Sequence, residues 1–339
     1  MSKHNVTLIF EDGRAVNLFA EEEDNIYFAC LKNKVRILTD CLEGACATCK
    51  GVCTSGTYFL DEFTEEALTK AEIERREVLT CQMHVTSDCV IEFPYDSSIA
   101  IKSELTTHSA TVSKVKMVSS NVAQLVLAVE SSDIINFLPG QYVHLSIPDT
   151  GEHRSYSFAN ASFDAKEYIF YIKLIDEGAM SKYLRNRAQP GDKIKITGPF
   201  GRFYLRPVER PVLLLAGGTG LAPMLSILDT MVVNKNTEFP VQLLYGANDP
   251  EELFGMKQIS TYQERGLNFK VEYSVAEKGL DWSGTTGHVT DLLRDDLLNG
   301  GNVDIYLCGP PPMINVAENW LISNGVKKSL IYSEKFVPS

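Results

Sequence analysis

Half of the chain's eight cysteines lie within thirteen residues, and their spacing limits what this segment can form. Cys41, Cys46 and Cys49 give the pattern C-x4-C-x2-C, and Cys81 follows far downstream in the segment VLTCQ, while Cys53 lies outside the pattern. In a reducing compartment, where disulfides are rare, clustered cysteines indicate metal binding or redox chemistry. We therefore expect Cys41, Cys46, Cys49 and Cys81 to be ligands of one metal centre.

The spacing favours one kind of centre. C-x4-C-x2-C with a distant fourth cysteine is the plant-type [2Fe–2S] pattern. Such a cluster carries negative charge, so backbone N–H groups have to point at its sulfurs, and the small residues Gly44, Ala45 and Ala47 let the loop wrap closely. Zinc is the alternative, but structural zinc favours paired C-x2-C knuckles and this segment has one such pair. Cys30 and Cys89 are expected to be buried free cysteines.

The surrounding sequence predicts a small α+β domain. VTLIFEDGRAVNLF alternates apolar and polar residues around Asp12-Gly13, which is typical of a hairpin. Asp24 is predicted to cap a short helix through NIYFACLKN, and Thr69 and Glu72 have capping-box spacing ahead of a second helix. Strand, strand, helix, cluster loop, helix and returning strand resemble the β-grasp fold of plant-type ferredoxins over about the first hundred residues.

The chain changes character twice after this region. DSSIAIKSELTTHSA, from Asp96, is poor in large apolar residues and is predicted to be a linker. Short alternating strands with Pro-Gly turns then predict an antiparallel barrel or sandwich up to about residue 206. From Pro211 onward, buried strands alternate with helical stretches, which indicates an α/β domain with a parallel sheet.

The middle region carries residues typical of a flavin site. In the strand RSYS, Arg154 and Tyr156 share a face, and a guanidinium beside an aromatic ring suits a ligand with a phosphate and a ring. In DEGAMSKYL, Ser181 is predicted to cap a helix whose start can bind an anion. The order PGQY, RSYS, GAMS and GPFG resembles the FAD domain of the ferredoxin–NADP reductase family. The resemblance implies Arg154 on the FAD pyrophosphate, Tyr156 on the isoalloxazine, Ser157 near its reactive nitrogen, and further contacts from Ser155, Lys173, Gly178, Met180 and Ser181.

A glycine-rich turn marks the third region. AGGTGLAPM follows a buried strand and precedes a helix, so pyrophosphate can approach the helix N-terminus closely. Its G-x-G-x-x-P pattern departs from the standard dinucleotide fingerprint, but proline is tolerated in a first helical turn. CGPPPM ends another buried strand, so both loops lie at the carboxyl ends of parallel strands, where ligands bind. The reductase resemblance implies Cys308 near the transferring carbon of nicotinamide, with coenzyme contacts from Gly217, Gly218, Thr219, Gly220, Pro223, Cys308, Gly309 and Pro310.

Two further segments bear on the coenzyme. In YGANDPEEL, Asn248 is followed by acidic residues, and no Arg or Lys appears before Lys257. A 2′-phosphate requires cations, whereas a free ribose hydroxyl suits a carboxylate or an amide, so we expect NADH with Asn248 as a contact. At the end of the chain, the resemblance implies that Phe336 covers the flavin ring until nicotinamide displaces it, and that Glu334 lies near the flavin.

The three regions predict a multidomain chain. We expect a β-grasp [2Fe–2S] ferredoxin domain over 1–97, an antiparallel β-barrel FAD domain over 104–206 and an α/β parallel-sheet NAD domain over 207–339. NADH gives two electrons together and a cluster accepts one at a time, so a flavin has to lie between them. This domain order resembles the reductase components of bacterial aromatic-ring dioxygenases of the benzoate and toluate 1,2-dioxygenase type, which implies that electrons pass to a terminal oxygenase.

Two alternatives for the function stay open at this stage. The same domain order occurs in the reductases of di-iron monooxygenases of the methane and phenol type. An NADH:flavin reductase with a zinc-holding interaction module belongs to a different class. Iron and acid-labile sulfide content separates the zinc alternative from the cluster.

The charge of the chain limits its partners. A net charge of -12 argues against nucleic acid or an anionic membrane, and no apolar run is long enough to span a bilayer. With no secretory signal at the N-terminus, a cytoplasmic location is expected. The acids Glu43, Asp61 and Glu62 are a candidate docking surface for the partner oxygenase.

Overall fold

The computed structural model describes residues 3–102, 106–130, 134–161, 166–279 and 282–336. They fall into two compact units. The first lies within residues 1–105 and includes 200–202, and the second comprises 106–199 and 203–339. No helix in the described residues is long and apolar enough to cross a membrane.

The first unit is an α+β domain. Its main sheet, in the described part of the unit, has five strands in the order β2-β1-β7-β3-β5, and β4 and β6 form a separate pair. β1 pairs with β7 in parallel, and the other neighbours in the main sheet are antiparallel. The elements are β1 (Lys3–Ile9), β2 (Ala15–Glu21), α1 (Ile26–Lys32), β3 (Lys50–Ser55), β4 (Tyr58–Leu60), α2 (Lys70–Glu74), β5 (Glu77–Leu79), β6 (Met83–Val85), β7 (Cys89–Glu92) and α3 (Ser97–Lys102).

Local sequence explains most of these elements. The predicted hairpin is present, and Gly13 provides the left-handed conformation that its turn requires, with φ of 77°. The predicted capping box is also present, because Thr69 accepts from the Glu72 N–H while Glu72 accepts from the Thr69 N–H. The cap of α1 was wrongly predicted. Asn25, not Asp24, accepts from the Phe28 N–H at 2.9 Å, and Asp24 instead pairs with a lysine at the other end of the helix.

The second unit begins with a barrel. In the described residues, six antiparallel strands in the order β11-β10-β13-β8-β9-β12 form a nearly closed sheet. Its core is rich in Phe, Tyr, Ile and Leu from alternate strand positions. The elements are β8 (Thr106–Met117), β9 (Val122–Val129), β10 (Tyr142–Ser146), β11 (His153–Ser157), β12 (Glu167–Lys173), α4 (Ala179–Asn186) and β13 (Lys193–Phe200).

The second unit continues as a parallel α/β sheet. Its strands have the order β17-β16-β15-β14-β18-β19 among the residues described. β14 and β15 are buried on both faces, which explains their continuous apolar sequence. The elements are β14 (Val212–Gly217), α5 (Leu221–Val233), β15 (Val241–Ala247), α6 (Met256–Thr261), β16 (Phe269–Val275), β17 (Thr285–Thr286), β18 (Asp304–Gly309), α7 (Pro311–Ser323) and β19 (Ile331–Lys335).

The fold class predicted from the sequence is confirmed, but the predicted linker is not irregular throughout. Helix α3 occupies Ser97–Lys102, and β8 already begins at Thr106. The predicted domain limits at 1, 104 and 339 lie outside the described residues, so the three domain boundaries stay predictions.

Candidate functional site

The four cysteines of the predicted ligand set form two close pairs. The Cys49 thiol donates to the Cys81 sulfur at 3.3 Å, and the Cys46 thiol hydrogen-bonds to the Cys41 sulfur. The segments of the two pairs lie next to each other, because the Gln82 side-chain amide donates both to the Leu42 carbonyl at 3.0 Å and to the Cys81 sulfur at 3.5 Å. The chain thus forms two thiol pairs from two distant segments, but the described residues contain no group of three or more metal-ligating side chains in one place. The set of four ligands that a cluster requires therefore stays a prediction.

Backbone N–H groups surround these sulfurs. Those of Glu43 and Ala45 each donate to the Cys41 sulfur at 3.4 Å. The hydrogen bond from Cys46 and then these N–H groups lower the pKa of the Cys41 thiol to about 5. The loop reaches this shape through a positive φ of 71° at Gly44, where a Cβ would lie 2.8 Å from the Glu62 carbonyl. These contacts favour the thiolate form of Cys41, the form that binds iron, whereas the hydrogen bond to Cys41 raises the pKa of the Cys46 thiol.

Cys53 has a different environment. Its thiol donates to the Ser55 carbonyl at 3.2 Å and hydrogen-bonds to Cys89, and Arg76 donates to its sulfur at 3.6 Å. Cys30 is buried, which raises the pKa of its thiol to about 12. The expectation that Cys30 and Cys89 are buried free cysteines is confirmed.

Strand β11 carries the predicted flavin residues. Arg154 and Tyr156 are half-buried while His153 and Ser155 are exposed, so the predicted shared face is present. The Arg154 guanidinium donates to the Glu152 carboxylate at 2.8 Å. That ion pair is partly exposed to solvent, and exposed ion pairs contribute little to stability.

The start of α4 differs from the prediction. Gly178 is the N-cap, and Ser181 lies inside the first turn, so Ser181 is not the cap. Its hydroxyl instead accepts from the Ile175 N–H at 3.0 Å, which ties the preceding loop to the helix. Met180 is buried in the barrel core, and Lys173 is exposed at the end of β12. The helix start nevertheless leaves N–H groups available for an anion.

The glycine turn after β14 lies against the end of β18. A Cβ at Gly220 would overlap the Cys308 carbonyl, and one at Gly309 would lie 3.1 Å from the Gly217 nitrogen. Pro223 is the third residue of α5, where proline is tolerated as predicted. Helices α5 and α7 both begin at this edge of the sheet, because they follow the parallel neighbours β14 and β18. Close backbone approach and two positive helix ends suit a pyrophosphate.

Strand β19, which the sequence analysis did not predict, completes this site. It pairs in parallel with β18 and places Glu334 opposite Cys308. The Ser157 hydroxyl donates to the Glu334 carboxylate at 3.4 Å, and the Phe336 N–H donates to the Gly309 carbonyl at 2.9 Å. Burial, and then the Glu334 charge, raise the pKa of the Cys308 thiol, which disfavours its thiolate form. Ser157 of the predicted flavin strand and Cys308 of the predicted nicotinamide loop thus both lie next to Glu334.

Asn248 is exposed just beyond β15, in the segment where the coenzyme ribose was expected. Its N–H donates to Glu252 at 3.3 Å, and Asn121, just before β9, donates to the same carboxylate at 2.6 Å. Asp249 accepts from the N–H groups of Glu251 and Glu252. The loop is therefore acidic and ordered by its own carboxylates.

The sequence analysis did not identify two buried polar residues, Gln82 and Arg206. Gln82 directly follows the predicted ligand Cys81, and this position in the sequence could have indicated that its side chain lies near the cluster. The Arg206 guanidinium carbon lies 3.5 Å from the Tyr204 ring centroid and 4.7 Å from that of Tyr332. No motif indicated this stack, because Tyr332 belongs to the unpredicted strand β19.

Comparison with known proteins agrees with this arrangement. Three family models match in chain order: the 2Fe-2S iron-sulfur cluster binding domain over 9–86, the oxidoreductase FAD-binding domain over 109–204 and the oxidoreductase NAD-binding domain over 214–319. Among solved structures, a cytochrome P450 reductase (GcoB) from Amycolatopsis is 26% identical with a TM-score of 0.73, and the match covers 99% of both chains.

Curated relatives match over the same span. The anthranilate 1,2-dioxygenase electron transfer component of Acinetobacter baylyi is 38% identical, over 99% of this chain and 98% of the relative. The toluate 1,2-dioxygenase electron transfer component of Pseudomonas putida is also 38% identical, over 99% of each. The propane 2-monooxygenase reductase component of Mycolicibacterium smegmatis is 32% identical, over 95% of this chain and 94% of the relative.

The expected cofactors are thereby confirmed: the chain uses a [2Fe–2S] cluster, FAD and NAD(H). It is an oxidoreductase in which electrons pass from NADH through FAD to the cluster, and the zinc alternative loses its support. With 38% identity over 99% of its length, the chain belongs to the family of 1,2-dioxygenase electron transfer components.

Proposed function

We propose that this chain is the reductase component of a benzoate-type aromatic-ring dioxygenase and that its electron acceptor is the terminal oxygenase of that system. The observation that carries the proposal is the 38% identity to anthranilate and toluate dioxygenase components, against 32% to a propane 2-monooxygenase reductase. We also assign the chain to the cytoplasm, in keeping with eight free cysteines.

We also propose that the individual site residues have the roles predicted from the sequence and that the three domains span residues 1–97, 104–206 and 207–339. The four cysteines would hold the cluster, and their pairing and N–H donors support this assignment. Bound flavin would take hydride from NADH and release electrons singly. Arg154 would pair with its pyrophosphate, and Tyr156, Ser157, Cys308, Glu334 and Phe336 would surround the reacting rings. Preference for NADH would follow from the acidic loop after Asn248.

We place the docking surface on the acids beside the cluster loop. Glu43, Asp61 and Glu62 are exposed, and Leu42 is an exposed apolar side chain next to Glu43. The Thr64 N–H donates to the Gly44 carbonyl at 3.1 Å, so the segment of Glu62 lies against the loop of Glu43. Exposed acids beside an exposed apolar side chain suit a partner with a basic patch, because opposite potentials speed association.

Spectroscopy of the purified full-length protein is the first test. Flavin bands and a broad iron–sulfur envelope should both bleach when NADH is added without oxygen. The acceptor is then tested by mixing the chain with the oxygenase of a benzoate-type dioxygenase or with a di-iron hydroxylase. NADH-dependent product is expected with the dioxygenase partner and its aromatic carboxylate. Product with the di-iron partner alone would overturn the proposed acceptor.

Charge reversal tests the docking surface separately. Glu43→Lys and Glu62→Lys should slow product formation by the oxygenase, with a weaker effect at high salt, and leave NADH oxidation by ferricyanide unchanged. Asp295→Lys is the matched control, because Asp295 is an exposed acid in the second unit and the change of charge is the same. Equal oxygenase rates for all three variants would contradict this surface.

A further inference from the structure

The side chain of Gln82 joins two segments that carry proposed cluster ligands. Its Nε2 donates to the Leu42 carbonyl at 3.0 Å and to the Cys81 sulfur at 3.5 Å. Leu42 follows Cys41 directly and has a left-handed φ of 60°. One amide nitrogen therefore links the turn after the first ligand to the sulfur of the fourth.

Burial and backbone hydrogen bonds hold Gln82 in place. Gln82 is only 8% exposed, its N–H donates to the Leu79 carbonyl at 2.9 Å, and its own carbonyl accepts from the Asp61 N–H at 2.9 Å. The backbone on both sides of the residue is thus held, and the side chain has little freedom to turn away. No other glutamine occurs in the first 105 residues of the sequence, so a label on the glutamine side chain reports on Gln82 in this region.

The chemistry of this hydrogen bond predicts which oxidation state of the cluster it stabilises. A primary amide has two N–H donors on one nitrogen, and here one faces a carbonyl and the other a thiolate sulfur. Hydrogen bonds to charged acceptors are the stronger kind. Hydrogen bonds to the sulfurs are among the factors that set cluster potentials, and reduction adds negative charge to the centre. A donor on a ligand sulfur therefore stabilises the reduced state more than the oxidised state.

We propose that Gln82 is a positioning residue of the iron–sulfur centre: its amide holds the Leu42 turn against Cys81 and raises the reduction potential of the cluster through the Cys81 sulfur. The inference rests on the proposed ligand set and goes beyond it, because the sequence predicts backbone N–H donors to the sulfurs and no particular side-chain donor. Gln82 does not bind iron.

Substitution in the full-length protein tests the effect on the potential. Gln82→Leu keeps similar volume without the donors, and Gln82→Glu keeps the shape but adds a negative charge. The equilibrium constant for cluster reduction, measured by EPR-monitored redox titration, should fall about tenfold in Gln82→Leu, the effect of one hydrogen bond to a charged acceptor. It should fall further in Gln82→Glu. Gln263→Leu, an exposed control in the second unit, should leave it unchanged. A wild-type potential in Gln82→Leu with full iron content overturns the proposal.

A second measurement keeps the proposal testable if these variants fail to assemble a cluster. Wild-type protein is prepared with glutamine labelled with ¹⁵N only at the side-chain amide, and the reduced cluster is studied by pulsed EPR. Hyperfine coupling from the label is expected through the hydrogen bond, and its absence overturns the proposal. Iron and sulfide analysis of the same sample separates the two proposals, because a protein without a [2Fe–2S] cluster contradicts the ligand set itself.

Discussion

The Ser157 hydroxyl donates to the Glu334 carboxylate at 3.4 Å, although 177 positions separate the two residues in the sequence. Ser157 ends a strand of the barrel, and Glu334 lies in the last strand of the parallel sheet. The contact places a carboxylate from the coenzyme-binding sheet beside the proposed flavin strand. Glu334 is also the residue opposite Cys308 in the register of β18 and β19.

We expect Ser157→Ala to slow reduction of the flavin by NADH about tenfold, the effect of one lost hydrogen bond on the barrier. Glu334→Gln should slow it to a similar extent, and the double variant should be little worse than either single one because the two groups act together. Anaerobic stopped-flow measurement at the flavin band checks this. Ser113→Ala is the control, because it removes a similar Ser–Glu bond of 2.7 Å from the exposed barrel surface. Additive effects of the two variants would contradict the linkage.

Cysteine substitution should show that Cys81, and not Cys53, is the fourth ligand. Cys81→Ser should lose the wild-type iron–sulfur absorption, because one of the four thiolates is missing. Cys53→Ser should keep it, since the serine hydroxyl can still donate to the Ser55 carbonyl. Visible spectra with iron and acid-labile sulfide analysis give the result. Loss of the cluster in Cys53→Ser with retention in Cys81→Ser would reverse the assignment.

The contact beneath the glycine turn predicts a steric effect. A Cβ in Gly220→Ala would overlap the Cys308 carbonyl, and backbone on both sides would have to move, so we expect a loss of about 2 kcal/mol in stability and weaker NADH binding. Gly217→Ala is the matched comparison. Its Cβ would meet the flexible Met313 side chain at 2.7 Å, and the smaller effect should reflect movement of that side chain. Thermal unfolding and the KM for NADH measure both. Equal losses would show that the Cys308 carbonyl is not the obstacle.

Lys50 predicts a dependence of stability on pH. It is 3% exposed and pairs with Glu72 at 2.7 Å, and burial lowers its pKa from 10.5 to about 8. Between these two pKa values the unfolded chain binds a proton at Lys50 more readily than the folded chain does. Burial of the charged lysine therefore lowers the free energy of unfolding fully below pH 8, and this loss becomes smaller as the pH rises toward 10.5. The free energy of unfolding of wild type should accordingly rise over this range relative to Lys50→Met, by at most about 3 kcal/mol. Urea unfolding of both proteins checks the sign, and parallel pH profiles would contradict it.

Features with strict local chemistry could be predicted from the sequence, whereas features that depend on distant pairing could not. The spacing of Cys41, Cys46 and Cys49 and the glycine turn follow from what a cluster and a pyrophosphate require of the chain. The relation of Glu334 to Cys308 depends on the register of β19, and no short motif encodes a strand pairing. The cap of α1 was wrongly predicted for another reason. Asp24 and Asn25 are both good caps, and only the position of the helix start decides between them.

The bond between Asn121 and Glu252 affects any redesign of coenzyme preference. A protein engineer who wants NADPH would remove carboxylates from the loop after β15 and add cations there. Glu252 is the wrong place to begin, because its carboxylate accepts from Asn121 at 2.6 Å and so ties the barrel to the nucleotide-binding sheet. The exposed Glu251 lies in the same acidic turn, and the Glu251 side chain can be exchanged without breaking that tie. Substitution at Glu251 therefore changes the charge of the loop and leaves the hydrogen bond between Asn121 and Glu252 in place.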